Sequence, residues 1–312
     1  FKKKADEMIN IAKKNLEVKN KDNQYFVRIP LGICVILNSW NDPLQIISNV
    51  IIPCLISGNT VIFKCSNQIP SIGIILKESF DEIISNDEQD LNYIFNNLIL
   101  DEMNLEKLIS NKDINYIHFS GNFKRGNDIL KKSLSNELKH ITLNLDGKSG
   151  AYVCEDADLV SAAKEISKSC FYNSGQNCCS IERVYVHKNV FDLFIHYLKK
   201  EAESIILGNP LDESVNMGPI TKNSKVKNIR KMIKKSLSLG GTQILNQLYY
   251  KNAIKNENYI PPQILLEVGH HMDILNEKIY APVMCVTNEM NDESGIKCIN
   301  LCNNNIFISI WS

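Results

Sequence analysis

Short apolar runs alternate with helical stretches through the first half of the chain, and this alternation limits the fold more than any other feature. Ile33-Cys34-Val35-Ile36-Leu37, Thr60-Val61-Ile62-Phe63-Lys64 and Ile114-Asn115-Tyr116-Ile117-His118-Phe119 are the strand-like runs. Helical stretches lie between and after them: from Pro43 to about Leu55, from Pro70 towards Ile84, and from Arg125 to Leu134. Proline suits the first turn of a helix, where its missing N–H has no partner to lose. Runs apolar on both faces fit strands of a parallel sheet covered by helices on each side. The pattern therefore predicts an α/β fold with a doubly wound parallel sheet of Rossmann type. Only Ser85 to Lys112, rich in Asn, Asp and Glu, offers no clear strand.

A second α/β pattern follows the turn Asp146-Gly147-Lys148. It reads as strand Ala151 to Cys154, helix Leu159 to Phe171, strand Val184 to His187 and helix Asn189 to Ile206. A turn at Gly240-Gly241-Thr242 precedes Gln243-Ile244-Leu245, and polar Tyr249 to Tyr259 reads as a surface insertion. Two domains are expected, 1–146 and 147–312. Ahead of the first sheet, Lys2 to Lys19 carries one apolar helical stripe, and Gln24 to Ile29 reads as an exposed strand.

Composition narrows the function classes. Thirty-five basic and thirty-five acidic residues cancel, which favours neither nucleic acid nor an acidic membrane surface as partner. No apolar run approaches the roughly 20 residues that span a bilayer. The ten cysteines show no CxxC and no Cys/His cluster at zinc spacing, so free thiols in a reducing compartment and no metal are expected. The chain starts at Phe1 without methionine and stops at Trp311-Ser312 after a strand-like run. Both ends read as cuts in a longer protein.

The chemistry concentrates at Phe171-Tyr172-Asn173-Ser174-Gly175-Gln176-Asn177-Cys178-Cys179-Ser180-Ile181-Glu182-Arg183. A small polar segment here joins a helix to a strand and displays a thiol behind a Gly-Gln pair. A cysteine on such a loop is placed for nucleophilic attack; the bland alternative is a pair of buried small hydrophobes.

Phe-x-Asn-x-Gly-Gln-x-Cys resembles the nucleophile loop of the aldehyde dehydrogenase superfamily, and further matches run in order from Pro30-Leu31-Gly32 to Ile310-Trp311-Ser312. The resemblance implies an NAD(P)-binding domain over 1–146, with part of an oligomerisation hairpin near 20–30, and a catalytic domain over 147–312. It implies Cys178 as nucleophile; because Cys178 follows Gly-Gln on a loop, its thiol is expected to be the most reactive of the ten. Trp40-Asn41-Asp42-Pro43 is similar to the family's Trp-Asn-x-Pro, which makes Asn41 the oxyanion donor and brings Trp40 to the cofactor. Lys64-Cys65-Ser66-Asn67 and Phe119-Ser120-Gly121-Asn122 resemble cofactor-binding segments. They assign Lys64 and Asn67 to a ribose, and Ser120, Gly121 and Asn122 to the nicotinamide and pyrophosphate. The implied cofactor is NAD or NADP, the implied substrate a small-molecule aldehyde. A homo-oligomer is implied for the full-length protein. So is residence in the cytoplasm or on the cytosolic face of an endomembrane.

Three positions depart from the family pattern. Asn67 stands for the acidic residue that grips the ribose hydroxyls. Lys278, in Glu277-Lys278-Ile279-Tyr280-Ala281-Pro282-Val283, stands for the Glu that holds the nicotinamide ribose. Asn144, in Leu143-Asn144-Leu145-Asp146-Gly147-Lys148, stands for the general-base Glu, and an amide cannot take that proton. The expected function is oxidation of an aldehyde to an acid through a cysteine thioester. A catalytically impaired scaffold and a CoA-acylating relative are the alternatives.

Overall fold

In the computed structural model, residues 2–22, 24–85, 91, 93–134, 138–250, 257–302 and 304–312 are described. The chain divides into two units, Phe1–Leu145 and Asp146–Ser312.

The strands of the first unit are β1 (Lys19–Lys21), β2 (Gln24–Phe26), β3 (Ile33–Leu37), β4 (Thr60–Lys64), β5 (Phe95–Asn97), β6 (Ile114–Gly121) and β7 (His140–Leu145). β1 and β2 form a short antiparallel ribbon. The other five lie parallel in the order β5-β4-β3-β6-β7. The continuous apolar run of β3 has its reason in packing on both faces. Cys34 and Ile36 meet Ile51, Val61, Phe63 and Phe95 on one side, and Val35 and Leu37 meet Leu105, Ile109, Ile117 and Ile129 on the other. Helices supply residues to both clusters, Pro70–Ile84 to the first, Glu102–Ser110 and Phe123–Ser133 to the second.

Two details revise the expectations for this unit. β5 falls where the sequence offered no strand; its buried Phe95 stacks on Phe80 with ring centroids 4.5 Å apart. The helix from Pro43 is not uniform, since Ile47–Ile51 is wound as a π-helix between α-helical Pro43–Ile46 and Ile52–Ile56. Pro53 explains the rewinding: it has no N–H to bond four residues back, and its ring crowds that carbonyl.

The second unit contains β8 (Ser149–Val153), β9 (Ile181–His187), β10 (Thr242–Gln243), β11 (Gln263–Leu266), β12 (Val283–Glu289) and β13 (Ile308–Trp311). Their order is β10-β11-β12-β9-β8-β13, parallel except where β10 meets β11. Val184 and Val186 of β9 pack with Ala163 and Ile166 of helix Leu159–Phe171 and with Phe194 and Leu198 of helix Phe191–Glu203. Cys285 and Leu265 contribute to a second cluster under helix Asn223–Ser238. Residues 146–148 have no regular structure but are buried. The insertion expected at Tyr249 to Tyr259 falls largely on 251–256, outside the described residues. Its first residue, Tyr249, is exposed, but Tyr250 is buried and donates its hydroxyl to the Ala202 carbonyl at 2.8 Å.

Candidate active site

The thiol loop is held in an unusual backbone conformation. After helix Leu159–Phe171, three successive residues are left-handed: Asn173 (φ 50°), Ser174 (φ 58°) and Gly175 (φ 71°). Asn and Gly tolerate this region, whereas Ser does so only when its surroundings insist. Here they do. Ser174 Oγ donates to the Gly218 carbonyl at 2.7 Å. Buried Gln176 donates through Nε2 to the carbonyls of Asn173 (3.0 Å) and Pro219 (3.2 Å). A Cβ on Gly175 would stand 2.1 Å from the Ala281 carbonyl oxygen, so only glycine lets the loop lie against that segment. The loop is thus fastened to 218–219 on one side and to 281 on the other.

That fastening presents two thiols. Cys178 is half-buried and Cys179 exposed, their sulfurs 3.6 Å apart. Asn177 Oδ1 lies 3.5 Å from Cys178 Sγ and accepts from the Cys179 N–H at 3.1 Å. The pair titrates as a unit. One thiol is brought down to about 6, at Cys179, because the Cys178 S–H donates to its thiolate; burial opposes this and the Lys278 ammonium reinforces it. The other is pushed up, at Cys178, by that same hydrogen bond and by burial. The more easily lost proton is therefore at Cys179, next to Cys178, which the sequence marks as the nucleophile.

Behind it lies a buried ion cluster. Glu182, fully buried, takes the Lys148 ammonium on Oε2 at 2.6 Å and the Lys278 ammonium on Oε1 at 2.9 Å. Burial works against its charge, but the two lysines overcome this and hold the carboxyl below its ordinary range. The β8–β9 pairing explains why Glu182 points there. It steps from Ser149↔Ile181 to Gly150↔Arg183, leaving Glu182 as the extra residue of a bulge. Lys278 also lies 3.5 Å from the Ser180 carbonyl and 5.3 Å from the Tyr280 ring, whose other cation neighbour is Lys225 at 4.7 Å. The Tyr280 hydroxyl donates to Asp146. The sequence reading named neither Gln176 nor Glu182 as a site residue. The signal for Glu182 was a charged Glu-Arg pair inside an otherwise apolar strand.

In the first unit the candidate cofactor residues gather where the parallel strands end. Trp40 and Asn41 follow β3, Lys64 ends β4, and Ser120 and Gly121 end β6. Asn144 is an exposed residue of β7, in register with Ser120. The carboxyl ends of such strands are where α/β sheets bind nucleotides. Lys64 Nζ donates to Asn67 Oδ1 at 2.7 Å and to the Cys65 carbonyl at 3.0 Å, and burial lowers its proton affinity. With Oδ1 engaged, exposed Asn67 keeps its NH₂ as the donor that a ribose hydroxyl can accept from. Asn122 caps helix Phe123–Ser133 by accepting from the Arg125 N–H at 2.8 Å, and the Arg125 guanidinium is paired with Glu102. A helix N-terminus beside a β-strand end suits a pyrophosphate. Gly126 serves the chain itself: a Cβ there would meet Leu145 at 2.4 Å, so its absence seats the helix on β7. Cys178 and Lys278 belong to the second unit and the other candidates to the first.

The fold and these motifs define a thiol-bearing α/β protein with a nucleotide-type sheet. The chain belongs to the aldehyde dehydrogenase family, whose model matches residues 1–312. It is 31% identical over 275 residues to a betaine aldehyde dehydrogenase of Agrobacterium fabrum, covering 88% of this chain and 54% of that protein. A mitochondrial aldehyde dehydrogenase of Leishmania tarentolae is 30% identical over 276 residues, 88% of this chain and 53% of the relative. The chain therefore spans about half the length of the curated relatives it matches. Among solved structures, lactaldehyde dehydrogenase from Escherichia coli aligns with a TM-score of 0.85 at 27% identity, covering 98% of this chain and 65% of that one. A glyceraldehyde-3-phosphate dehydrogenase from Methanocaldococcus jannaschii, complexed with NADP, aligns at 0.88 and 25% identity, covering 99% and 67%. The architecture is the aldehyde dehydrogenase fold. Among the described residues no group of His, Cys, Asp or Glu could hold a metal ion, and no helix is long and apolar enough to cross a membrane.

Proposed function

We propose that this chain carries the nucleophile and the cofactor sheet of an enzyme that oxidises an aldehyde to a carboxylic acid, with NAD or NADP as hydride acceptor. One observation carries the reading: in a member of this family, a loop pinned by Gln176 displays the Cys178–Cys179 pair with one proton readily lost. The pair's charge makes Cys178 a competent nucleophile when its own sulfur holds it. The sulfur bonds to the aldehyde carbon, and the carbonyl electron pair moves onto oxygen. The Cys178 N–H and the Asn41 amide are the proposed donors to that oxyanion. The dinucleotide supplies a two-electron acceptor for the hydride that leaves the same carbon. Lys64, Asn67, Trp40, Ser120, Gly121 and Asn122 are proposed to hold it, and the strand-end clustering and the exposure of Asn67 fit that task. Water then cleaves the resulting thioester, with Asn144 at the position where the family pattern has its base.

Self-association of the whole protein and residence in the cytoplasm belong to the same proposal. Exposed apolar Tyr25, Phe26, Val27 and Ile29 support the first. The test is mass spectrometry of the intact chain after mixing with an aldehyde panel and NAD or NADP. An acyl adduct on Cys178, matched by one equivalent of reduced cofactor and absent in Cys178→Ala, is the expected result. No adduct with any aldehyde, in folded protein shown to bind the cofactor, would reject the reading.

A further inference from the structure

The ions behind the thiol loop do not balance. Lys148 and Lys278 bring two positive charges to one carboxylate, and the side chains of Lys148, Lys278 and Glu182 are 1%, 9% and 0% exposed. An uncompensated charge away from water is costly, and it favours ionisation of whatever neighbouring group can take the opposite sign. Cys170 and Cys285 face the cluster, yet both are fully buried, and burial pushes their thiols up, Cys285 to about 12. The Tyr280 phenol keeps its proton, since burial and its hydrogen bond to Asp146 both oppose ionisation. Asp146 is turned to that phenol, with Lys225 on the Tyr280 ring. What remains is the loop itself, whose Ser180 carbonyl lies 3.5 Å from the Lys278 ammonium, next to Cys179 in the chain.

We infer that Lys278 is a positioning residue for the nucleophile. Glu182 fixes its ammonium at the base of the Cys178–Cys179 loop, and a thiolate there supplies the negative charge that the Lys148–Glu182–Lys278 cluster lacks. The catalytic meaning of this rests on the reading of Cys178 as nucleophile, whereas the ionisation itself does not. The shared thiolate then forms without any general base, and its proton leaves to solvent through exposed Cys179. Lys278→Met removes the surplus charge and leaves Lys148 and Glu182 as a balanced pair, while Lys278→Arg keeps the charge.

The experiment is the pH profile of iodoacetamide labelling, read by peptide mass spectrometry, with Cys298 as the internal reference thiol. In the native chain the Cys178–Cys179 peptide is expected to label with a midpoint below the ordinary cysteine value of about 8.5. Lys278→Met is expected to raise that midpoint by about one unit, a roughly tenfold drop in labelling rate at pH values below the native midpoint. Lys278→Arg should restore it. An unchanged midpoint in folded Lys278→Met overturns the inference. So does a native pair that titrates no lower than Cys298, a comparison that decides the matter even if the methionine variant does not fold. Acyl transfer to Cys178 is scored separately. A shifted midpoint without acylation keeps this inference and rejects the dehydrogenase reading, and acylation without a shift does the reverse.

Discussion

A single oxygen of Gln176 accepts two hydrogen bonds from Thr221, one from its backbone N–H at 2.9 Å and one from its hydroxyl at 3.1 Å. The amide's other end donates to two carbonyls, so both ends of this buried side chain are used. Gln176→Leu would take the amide partner from the Thr221 N–H and from the Pro219 carbonyl, while the Asn173 carbonyl would keep the backbone N–H of residue 176 at 3.1 Å. A loss of about 2 kcal/mol in urea unfolding is expected. Labelling of the Cys178–Cys179 peptide should also lose its lead over the other thiols. A variant as stable as the native chain, with labelling order intact, would show that the loop is held by its backbone alone.

In the proposed reaction Asn144 would set the fate of the thioester. Acylation does not call on it, but deprotonating a water does, and general-base help is worth about 10²–10⁴-fold. The native chain is expected to give a burst of reduced cofactor no larger than one equivalent, then a slow steady rate. Asn144→Glu should raise the steady rate by about 10²-fold or more and leave the burst unchanged. Stopped-flow fluorescence of the reduced cofactor reads both phases. Turnover restored in the native chain by coenzyme A alone would point to a thiol as the natural acyl acceptor.

Asn67 offers a neutral amide where a carboxylate would accept from a ribose and from Lys64 together. Asn67→Glu should tighten NAD binding by about tenfold, since a hydrogen bond to a charged group exceeds a neutral one by about 1–1.5 kcal/mol. Isothermal titration calorimetry measures it directly. Equal affinities would place the ribose away from this residue.

Glu182 makes stability depend on acidity. Its carboxyl binds protons less readily folded than unfolded. Its contribution is therefore complete above the unfolded value of about 4.3 and is lost as the pH falls through the lower folded value. Glu182→Gln strands two buried ammonium groups and should cost about 3–5 kcal/mol at neutral pH. The gap between native and variant, followed by urea unfolding, should close only in acid below that carboxylate range. A gap that widened on acidification would contradict the assigned protonation.

Much of the fold was readable because the two repeat lengths of strand and helix leave plain traces. β3 is apolar without interruption, β4 holds Val61-Ile62-Phe63 at its centre, β6 keeps Ile114, Ile117 and Phe119 among polar residues, and Pro70 marks its helix start. β5 was not readable, since three residues in a polar stretch take their strand character from Phe95 packing on Phe80. The π-turn at Ile47–Ile51 escaped because a proline eleven residues into a helix pattern signals disturbance without saying how the chain absorbs it. In the site, the thiol loop and the strand-end residues were legible as motifs. The inward turn of Lys278 was not. Its direction is set by Glu182, which a bulge aims, and bulges depend on pairing between segments far apart in sequence.

Glu182 and Arg183 adjoin on β9 yet meet opposite surroundings. The carboxylate sits among ammonium groups, and the guanidinium among the Lys148 carbonyl, the Tyr185 hydroxyl and the Asn305 amide oxygen. A slide of one position along the neighbouring strands would thrust the guanidinium at Lys148 and Lys278, cation against cation with no water between them. An all-aliphatic strand would meet no such barrier, because each alignment would bury its side chains about equally well. The two charges act as a key that admits one alignment of β9 and refuses the next. Since the thiol turn runs straight into that strand, the place where Cys178 comes to rest is decided by the key before any substrate arrives.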